Sequence, residues 1–523
     1  MSGGLPEPGC PSTDSVDGET SAQEFPANGL EPSGRDLATG GVLMVLGRAA
    51  VLPAGLVSAA FLARVLGPAD FGIYGVALSI IVWARMSIYM LLNRASIKLI
   101  AETPHWEPVA AALIQVQLVL GLTVGAAAFL AAPALADLLG EPELRPVFWV
   151  FSTVIPVSTL AKAYENTLNG CRAFRRSALV PVVSETTRLV LILILVGAGL
   201  GLKGAALAIL GAAGVELWIV RRWVNLRLWQ RVTIPHRQIL RYSMPLFMDT
   251  LAKRLHGRMD LWAVQALAGS TAAGYYSVAL SANHAGAVFS QALSPVILAA
   301  VSDAWAQGRQ EAARAMIHQS LRLILWLTPF AALGAGAAPA LVGLIFGEAY
   351  QPAAVLLAWV SFSIVALVIM SVTAAIFAAV GRPGAAFAFN GPLLILALAG
   401  YLLLVPRVGA IGAAATTALT AWGVAIATLV GVYHWCRVGP GRGTVLRVAV
   451  TSVVAYFLAG AWQAPGVWVV PQLLVYCGAV LALVYILGEV SRPDIDFVRS
   501  VLGRKPVQAG REVSCEPTRP GRG

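Results

Sequence analysis

Gly67–Ser79 reads GPADFGIYGVALS, and Gly269–Ser281 reads GSTAAGYYSVALS. At a constant offset of 202 residues, Gly67 meets Gly269, Gly72 meets Gly274, Tyr74 meets Tyr276, and the two VALS tetrads coincide. Chance similarity among Ala/Val/Leu-rich segments reproduces apolar letters but not a shared spacing of glycines and a tyrosine. A weaker echo pairs Gly204-Ala205-Ala206 with Gly412-Ala413-Ala414. Self-similarity over this distance implies a duplicated architecture. The repeat also fixes where to look for its elements, because each strong copy lies between one apolar run and the next.

Those runs dominate the chain. Of 523 residues, 58% are hydrophobic and only 12% charged, with a mean hydropathy of +0.75. A soluble domain carries about 25% charged residues, so this chain has too little polar surface to face water on all sides. A helix needs about 20 mostly apolar residues to cross the hydrocarbon. Fourteen runs meet that test, at approximately 40–62, 73–94, 109–132, 147–168, 178–199, 203–221, 240–267, 272–299, 323–346, 353–379, 385–405, 409–434, 446–463 and 468–488. The fold class expected is all-α integral membrane.

Orientation follows from Lys and Arg in the short loops. With a cytosolic amino end, the inner loops hold Arg94/Lys98, Arg172/Arg175/Arg176, Arg221/Arg222/Arg227/Arg231/Arg237, Arg309/Arg314, Arg382 and Arg437/Arg442/Arg447. The outer loops hold only Arg64, Arg145, Lys203 and Arg407, and one of them is acidic around Asp137, Glu141 and Glu143. The net charge of +11 is thereby a topology signal and gives no reason to expect nucleic acid. Both termini are expected in the cytosol of a bacterial inner-membrane protein.

Six spans separate the copies of the repeat, so the halves have parallel topology about an axis along the membrane normal. A shared site then falls at their interface near the midplane. The expected organisation is a polar tail over 1–38, a six-helix half over 39–230, a second over 231–440, a helix pair over 441–490, and a basic tail over 491–523. The first tail is rich in Pro, Gly, Ser and acidic residues, as disordered segments are, and shows no basic start followed by an apolar stretch. Five scattered cysteines have neither pairing nor metal spacing.

FLARVLGPADFGIYGVALSI, beginning at Phe61, resembles the loop-and-second-helix signature of the polysaccharide transporter family of oligosaccharide flippases. That family belongs to the MOP superfamily, which also holds lipid II flippases and multidrug-and-toxin extruders. LNGCRAFRRSALVPVVSETTRLVLILIL, from Leu168, is similar to its fourth-to-fifth span connection. Leu240–Tyr276 resembles its seventh span, including Asp260 before an apolar run and a Gly-x-Tyr turn. The resemblance covers roughly residues 40 to 490. It implies a carrier without cofactor or catalysis whose central cationic cavity holds the pyrophosphate of a polyprenyl-linked sugar.

Charges inside the spans say where such a cavity would lie. An ionisable group at bilayer depth costs roughly 2.5–3.5 kcal/mol even on lenient scales, and persists where it faces a polar cavity or a partner. Here such groups are confined to spans one, two, four, five, six and seven. Arg48, Arg85 and Arg254 fall at similar depths on spans one, two and seven. Guanidinium suits phosphate because its planar donor fork engages two oxygens and stays charged. Arg188 and Arg258 are further candidates for the same anion. The bland alternative pairs each arginine with a carboxylate or a helix carbonyl, and Arg48 could instead snorkel to the cytosolic surface.

Span seven is charged on two faces: Asp249, Lys253, His256 and Asp260 on one, Arg254 and Arg258 on the other. Such a helix belongs at the centre of the bundle, and Pro245 and Gly257 would let it bend. Asp249–Lys253 reads as an internal pair or an ion site. Asp260, without a partner at i±4, is the better candidate to couple H+ or Na+. Glu185/Arg188 and Lys162/Glu165 have the i,i+3 spacing of neutralising pairs, and Glu216 is expected to pair with Arg221 or Arg222. Asn283 and His284 lie mid-span in helix eight, where a hydrogen-bonded role in the bundle is the ordinary reading.

The function expected is flipping of a polyprenyl-diphosphate-linked oligosaccharide, with membrane lipids and other polysaccharide-assembly proteins as partners. A cation-coupled exporter of the multidrug type would want carboxylates and few arginines in its cavity. A membrane glycan polymerase or ligase would want a long non-cytoplasmic loop, whereas the outer loops here are short.

Overall fold

The computed structural model describes residues 34–103, 106–138, 140, 145–171, 173–226, 257–281, 283–461, 464 and 466–487. Every regular element among them is helical. Nine described helices are long and apolar enough to cross a membrane, or ten with the pair Gln310–Gly336 and Ala338–Phe346, which is bent by 62°.

Two of the nine are double spans. Pro53–Asn93 runs 41 residues and Arg175–Trp223 runs 49, about 60 Å or more of helix at 1.5 Å per residue and twice the hydrocarbon thickness. Each is interrupted by glycine in a conformation closed to other residues. Gly67 (φ 76°, ψ 173°) divides Gly34–Glu102 into spans one and two. Gly199 (φ 90°) and Gly201 (φ 51°) separate span five, Phe174–Leu195 with its π-turn Val196–Leu200, from span six, Gly201–Trp223. Spans three and four are Trp106–Leu138 and Arg145–Gly170.

In the second half, residues 257–268 belong to span seven, and span eight comprises Ser270–Leu280 and Asn283–Ala306. Span nine comprises Gln310–Leu325, Leu327–Gly336 and Ala338–Phe346. Spans ten to twelve are Ala353–Ala379, Pro383–Val408 and Ala410–Cys436. Arg442–Ala461 and Val469–Ile486 are spans thirteen and fourteen. Among the described residues each expected run meets a helix; of the run 240–267, residues 240–256 lie outside the described residues.

The duplication extends to backbone angles. Gly269 (φ 86°, ψ 176°) repeats Gly67, and Gly409 (φ 65°, ψ −146°) repeats Gly201 (φ 51°, ψ −134°). The weaker echo, three residues beyond Gly201 and Gly409, therefore marks the same turn in both halves.

The halves cross at the repeat itself. A Cβ on Gly72 would lie 2.0 Å from the carbonyl oxygen of Ser270, and one on Gly274 would lie 1.9 Å from that of Pro68. Pro68 and Ser270 are themselves repeat equivalents, so the contact is reciprocal and the pseudo-twofold axis passes through it. Only glycine lets two helix backbones approach so closely, the small-residue rule of packing in lipid. Gly75 against the Ser277 side chain continues the seam.

Two reciprocal caps close the same end. The Arg64 guanidinium donates to the carbonyls of Leu344 and Ile345, and the Tyr350 hydroxyl donates to Ala63 O at 2.9 Å. Phe71, Tyr275 and Phe346 gather round Tyr350. The described contacts between the halves concentrate here, at the end that the Lys/Arg distribution assigns to the outside.

Small residues again set the spacing within the first half and between the second half and the carboxyl-terminal helix pair. Gly121 and Gly125 of span three face Pro156 of span four, and Gly336 of span nine packs on the Tyr456 backbone of span thirteen. Serine and threonine hydroxyls bond back to carbonyls of their own helices, as in Ser152 to Phe148 and Thr373 to Ile369, which satisfies them where water is absent. Leu130, Ile395, Phe457 and Leu474 point outward, exposed, as expected of a lipid-facing belt.

Candidate functional site

The buried charge of the first half converges. Lys162 of span four contacts Glu165 Oε2 at 2.6 Å and Glu216 Oε1 of span six at 3.0 Å. Ser184 of span five donates to Glu216 Oε2 at 2.7 Å. One turn along span five, Arg188 pairs with Glu185 at 2.5 Å. Arg85 of span two stands within electrostatic range of Glu216, Glu185 and Arg188.

The i,i+3 expectations for Lys162/Glu165 and Glu185/Arg188 are met. The expectation for Glu216 is not: it pairs with Lys162 and Ser184, because residue 216 faces inward between spans four and five and is only 5% exposed. Sequence spacing sees pairs within one helix, and this one crosses three.

Arg85 lies within electrostatic range of Arg188. Both keep an enclosed Nε with no hydrogen-bond acceptor among the described residues. An Arg188 terminal nitrogen comes within 3.9 Å of where a Cβ on Gly55 of span one would lie, and Tyr74 lies in range of both Arg188 and Glu185. The Arg48 side chain, Asp249, Lys253, Arg254, His256, and the side chains of Asn283 and His284 lie outside the described residues. Arg258 is half-buried and sits in range of Asp260, not of the Arg85 cluster.

The second half carries a different constellation. Asp260, 4% exposed, accepts hydrogen bonds from Leu261 N–H at 2.7 Å and the Tyr276 hydroxyl at 3.0 Å. Thr417 Oγ1 lies 3.3 Å from the Tyr276 hydroxyl and 3.0 Å from that of Tyr401. Spans seven, eight, eleven and twelve thus each contribute an oxygen to one buried group. Asp260 was legible; Tyr276, Tyr401 and Thr417 were not assigned, although Tyr276 is the tyrosine of the repeat. Between the halves, Trp262 donates to Ser79 Oγ at 2.7 Å and meets Trp83 edge-on at 5.9 Å.

The fold is shared with known carriers. A lipid II flippase MurJ in an inward closed conformation superposes with a TM-score of 0.71 at 14% identity, covering 88% of this chain and 100% of that one. The Vibrio cholerae MATE transporter VcmN, in a point-mutant form, gives 0.53 at 19% identity over 76% and 97%. An outward-facing multidrug resistance MATE transporter of the MOP superfamily gives 0.55 at 16% over 80% and 96%. A comparison with curated protein sequences returned no match. The profile of the family described as polysaccharide biosynthesis protein matches residues 61–355, from the end of span one through both copies of the repeat and into span ten. With more than half of its 523 residues covered and the fold of the MOP flippases, the chain belongs to the polysaccharide biosynthesis protein family.

Proposed function

We propose that this protein flips a polyprenyl-diphosphate-linked oligosaccharide from the cytosolic to the outer leaflet of the bacterial inner membrane, by alternating access, for surface polysaccharide assembly. The observation that carries the reading is a pair of enclosed arginines, Arg85 and Arg188, within electrostatic range of each other, each with an Nε lacking an acceptor among the described residues, in a chain matched by the polysaccharide biosynthesis profile. A planar donor fork with an open hydrogen is the chemistry that holds a phosphate oxygen. The Arg48 side chain and Arg254, which lie outside the described residues, are proposed as further contacts to the same anion, whereas Arg258 stands beside Asp260. Asp260 takes the role of coupling-ion site for H+ or Na+, since a buried carboxylate with hydroxyl oxygens nearby suits a hard cation.

The test is delivery of lipid-linked glycan to the outer leaflet in cells carrying Arg85→Ala or Arg188→Ala. Each is expected to lower delivery at least about tenfold, the loss of one charge-assisted contact of about 1.5–3 kcal/mol. Normal delivery in both variants would overturn the proposal. Normal delivery with loss of polymer would point to the polymerase reading.

The exporter reading keeps one supporting observation, the Asp260–Tyr276–Tyr401–Thr417 cluster. It expects Asp260→Asn to raise sensitivity to cationic compounds while glycan delivery continues.

A further inference from the structure

The described cluster of the first half is electrically balanced. Three cations, Arg85, Lys162 and Arg188, share space with three carboxylates, Glu165, Glu185 and Glu216. An anion site at rest is therefore a neutral one, and an incoming diphosphate has to compete with a group already there.

The three carboxylates are not equally held. Glu165 and Glu216 share Lys162, and Glu216 also accepts the Ser184 hydroxyl. Glu216 is 5% exposed, and its removal would leave Lys162 with Glu165 alone. Glu185 pairs with Arg188 alone, its side chain is 24% exposed, and its Oε2 makes no aligned hydrogen bond despite the 2.5 Å contact. It is held by charge without the Ser184 hydrogen bond that fixes Glu216, whose own Oε1 likewise meets Lys162 without an aligned bond. Among the described residues, the groups of neighbouring elements within electrostatic range of it are Tyr74 and Arg85 on span two, while span one approaches Arg188 at Gly55.

We propose that Glu185 is a resident counter-ion: its carboxylate occupies the Arg188 guanidinium in the empty carrier and yields it to the phosphate of the cargo. The inference rests on the anion-site reading above and adds a specificity-determining residue to it. A carboxylate tethered one turn away excludes anions that offer a single weak contact. A diphosphate displaces it because two phosphoryl groups engage Arg85 and Arg188 together, and the second contact becomes intramolecular once the first is made. Glu185 thus sets a threshold that favours diphosphates over monophosphates and free inorganic phosphate, while Glu216 and Lys162 hold the surrounding helices in register.

The experiment measures binding of inorganic pyrophosphate and of orthophosphate, by calorimetry, to the full chain in phosphatidylcholine nanodiscs. Wild type is expected to prefer pyrophosphate. Glu185→Gln removes one negative charge beside a guanidinium and is expected to tighten both anions at least about tenfold, orthophosphate the more, so that the preference narrows. Glu185→Asp keeps the charge but shortens the reach, and is expected to fall between the two. Adding Arg188→Gln to Glu185→Gln should abolish the gain. Unchanged or weaker binding in Glu185→Gln, with the Glu185→Asp protein equal to wild type, would overturn the proposal. So would a gain that survives removal of Arg188. If pyrophosphate binding ignores Arg85→Ala and Arg188→Ala, the anion-site reading itself fails. If it responds to those but not to Glu185→Gln, only the counter-ion role falls.

Discussion

Tyr74 and Tyr276 stand at the same position of the repeat and keep different company. Tyr74 packs against Phe71 and Phe151 within electrostatic range of the Arg188–Glu185 pair, whereas the Tyr276 hydroxyl binds Asp260 at 3.0 Å. The backbone around them is duplicated down to the angles of Gly67 and Gly269. The polar contents are not: a balanced network of six charges fills one half, and a carboxylate served by hydroxyls sits in the other. Helix crossings are set by sterics, which tolerate few solutions, while a polar cluster needs only that its own members be satisfied. Duplication therefore preserves the first and leaves the second free to diverge, one half toward anions and the other toward a cation.

The shared part breaks first. Gly274→Val places side-chain carbon where Pro68 O already lies, since even a Cβ would come within 1.9 Å of that backbone atom. Overpacking costs about 1–3 kcal/mol where side chains can shift, and a backbone obstacle cannot rotate away. Gly274→Val is expected to yield no monodisperse folded protein by size-exclusion in detergent, and Gly72→Val the same by pseudo-symmetry. A Gly274→Val protein that melts within a few degrees of wild type would mean that spans two and eight do not cross there.

Next come the contents of each half. Lys162→Met leaves Glu165 and Glu216 facing each other without their cation, and removing one partner of a buried pair costs about 3–5 kcal/mol. Combining it with Glu216→Gln should recover part of the loss, a coupling that thermal melting of the four proteins would read out. Asp260→Asn is expected to be milder, because the amide oxygen still accepts from Leu261 while the amide nitrogen can donate to the Tyr276 hydroxyl, which turns toward Thr417. Its signature lies elsewhere: any rise in melting temperature on replacing choline chloride with sodium chloride should vanish in Asp260→Asn and persist in Glu185→Gln. A sodium response lost in both variants would erase the proposed division between the halves.

Much of the fold was legible because lipid imposes simple rules. Apolar length located the described spans, and the spacing Gly67–Gly72–Tyr74 exposed the duplication. Candidate residues were legible for the same reason, since a charge such as Arg85 or Asp260 in hydrocarbon is conspicuous. Their partners were not. Glu216 lies five residues from Arg221 in sequence, yet it meets Lys162, 54 positions away, because spans four and six are neighbours in space. Tyr401 and Thr417 look like ordinary bundle residues until spans eleven and twelve bring them to Tyr276. Period and composition report one helix at a time, and a site made of several is a property of their packing.

The smallest expected effect concerns the end where the halves meet. There the two halves exchange caps: Arg64 from span one satisfies carbonyls at the last turn of span nine, and Tyr350, just past span nine, satisfies Ala63 near the end of span one. Terminal carbonyls of a helix lack intrahelical donors, so parting the halves exposes both sets at once. Tyr350→Phe deletes one of these bonds while keeping the ring among Phe71, Tyr275 and Phe346. About 1 kcal/mol is the expected cost, a roughly fivefold shift from the state joined at this end toward one parted there. Spin labels at Asp70→Cys and Glu348→Cys, in a chain with its own cysteines replaced, would read that shift as a larger share of long distances. Arg64→Ala should add to it, since its bonds go to carbonyls that Tyr350 does not touch. An unchanged distance distribution in the doubly altered protein would mean that the glycine crossing alone holds the halves together, and that the caps merely follow it.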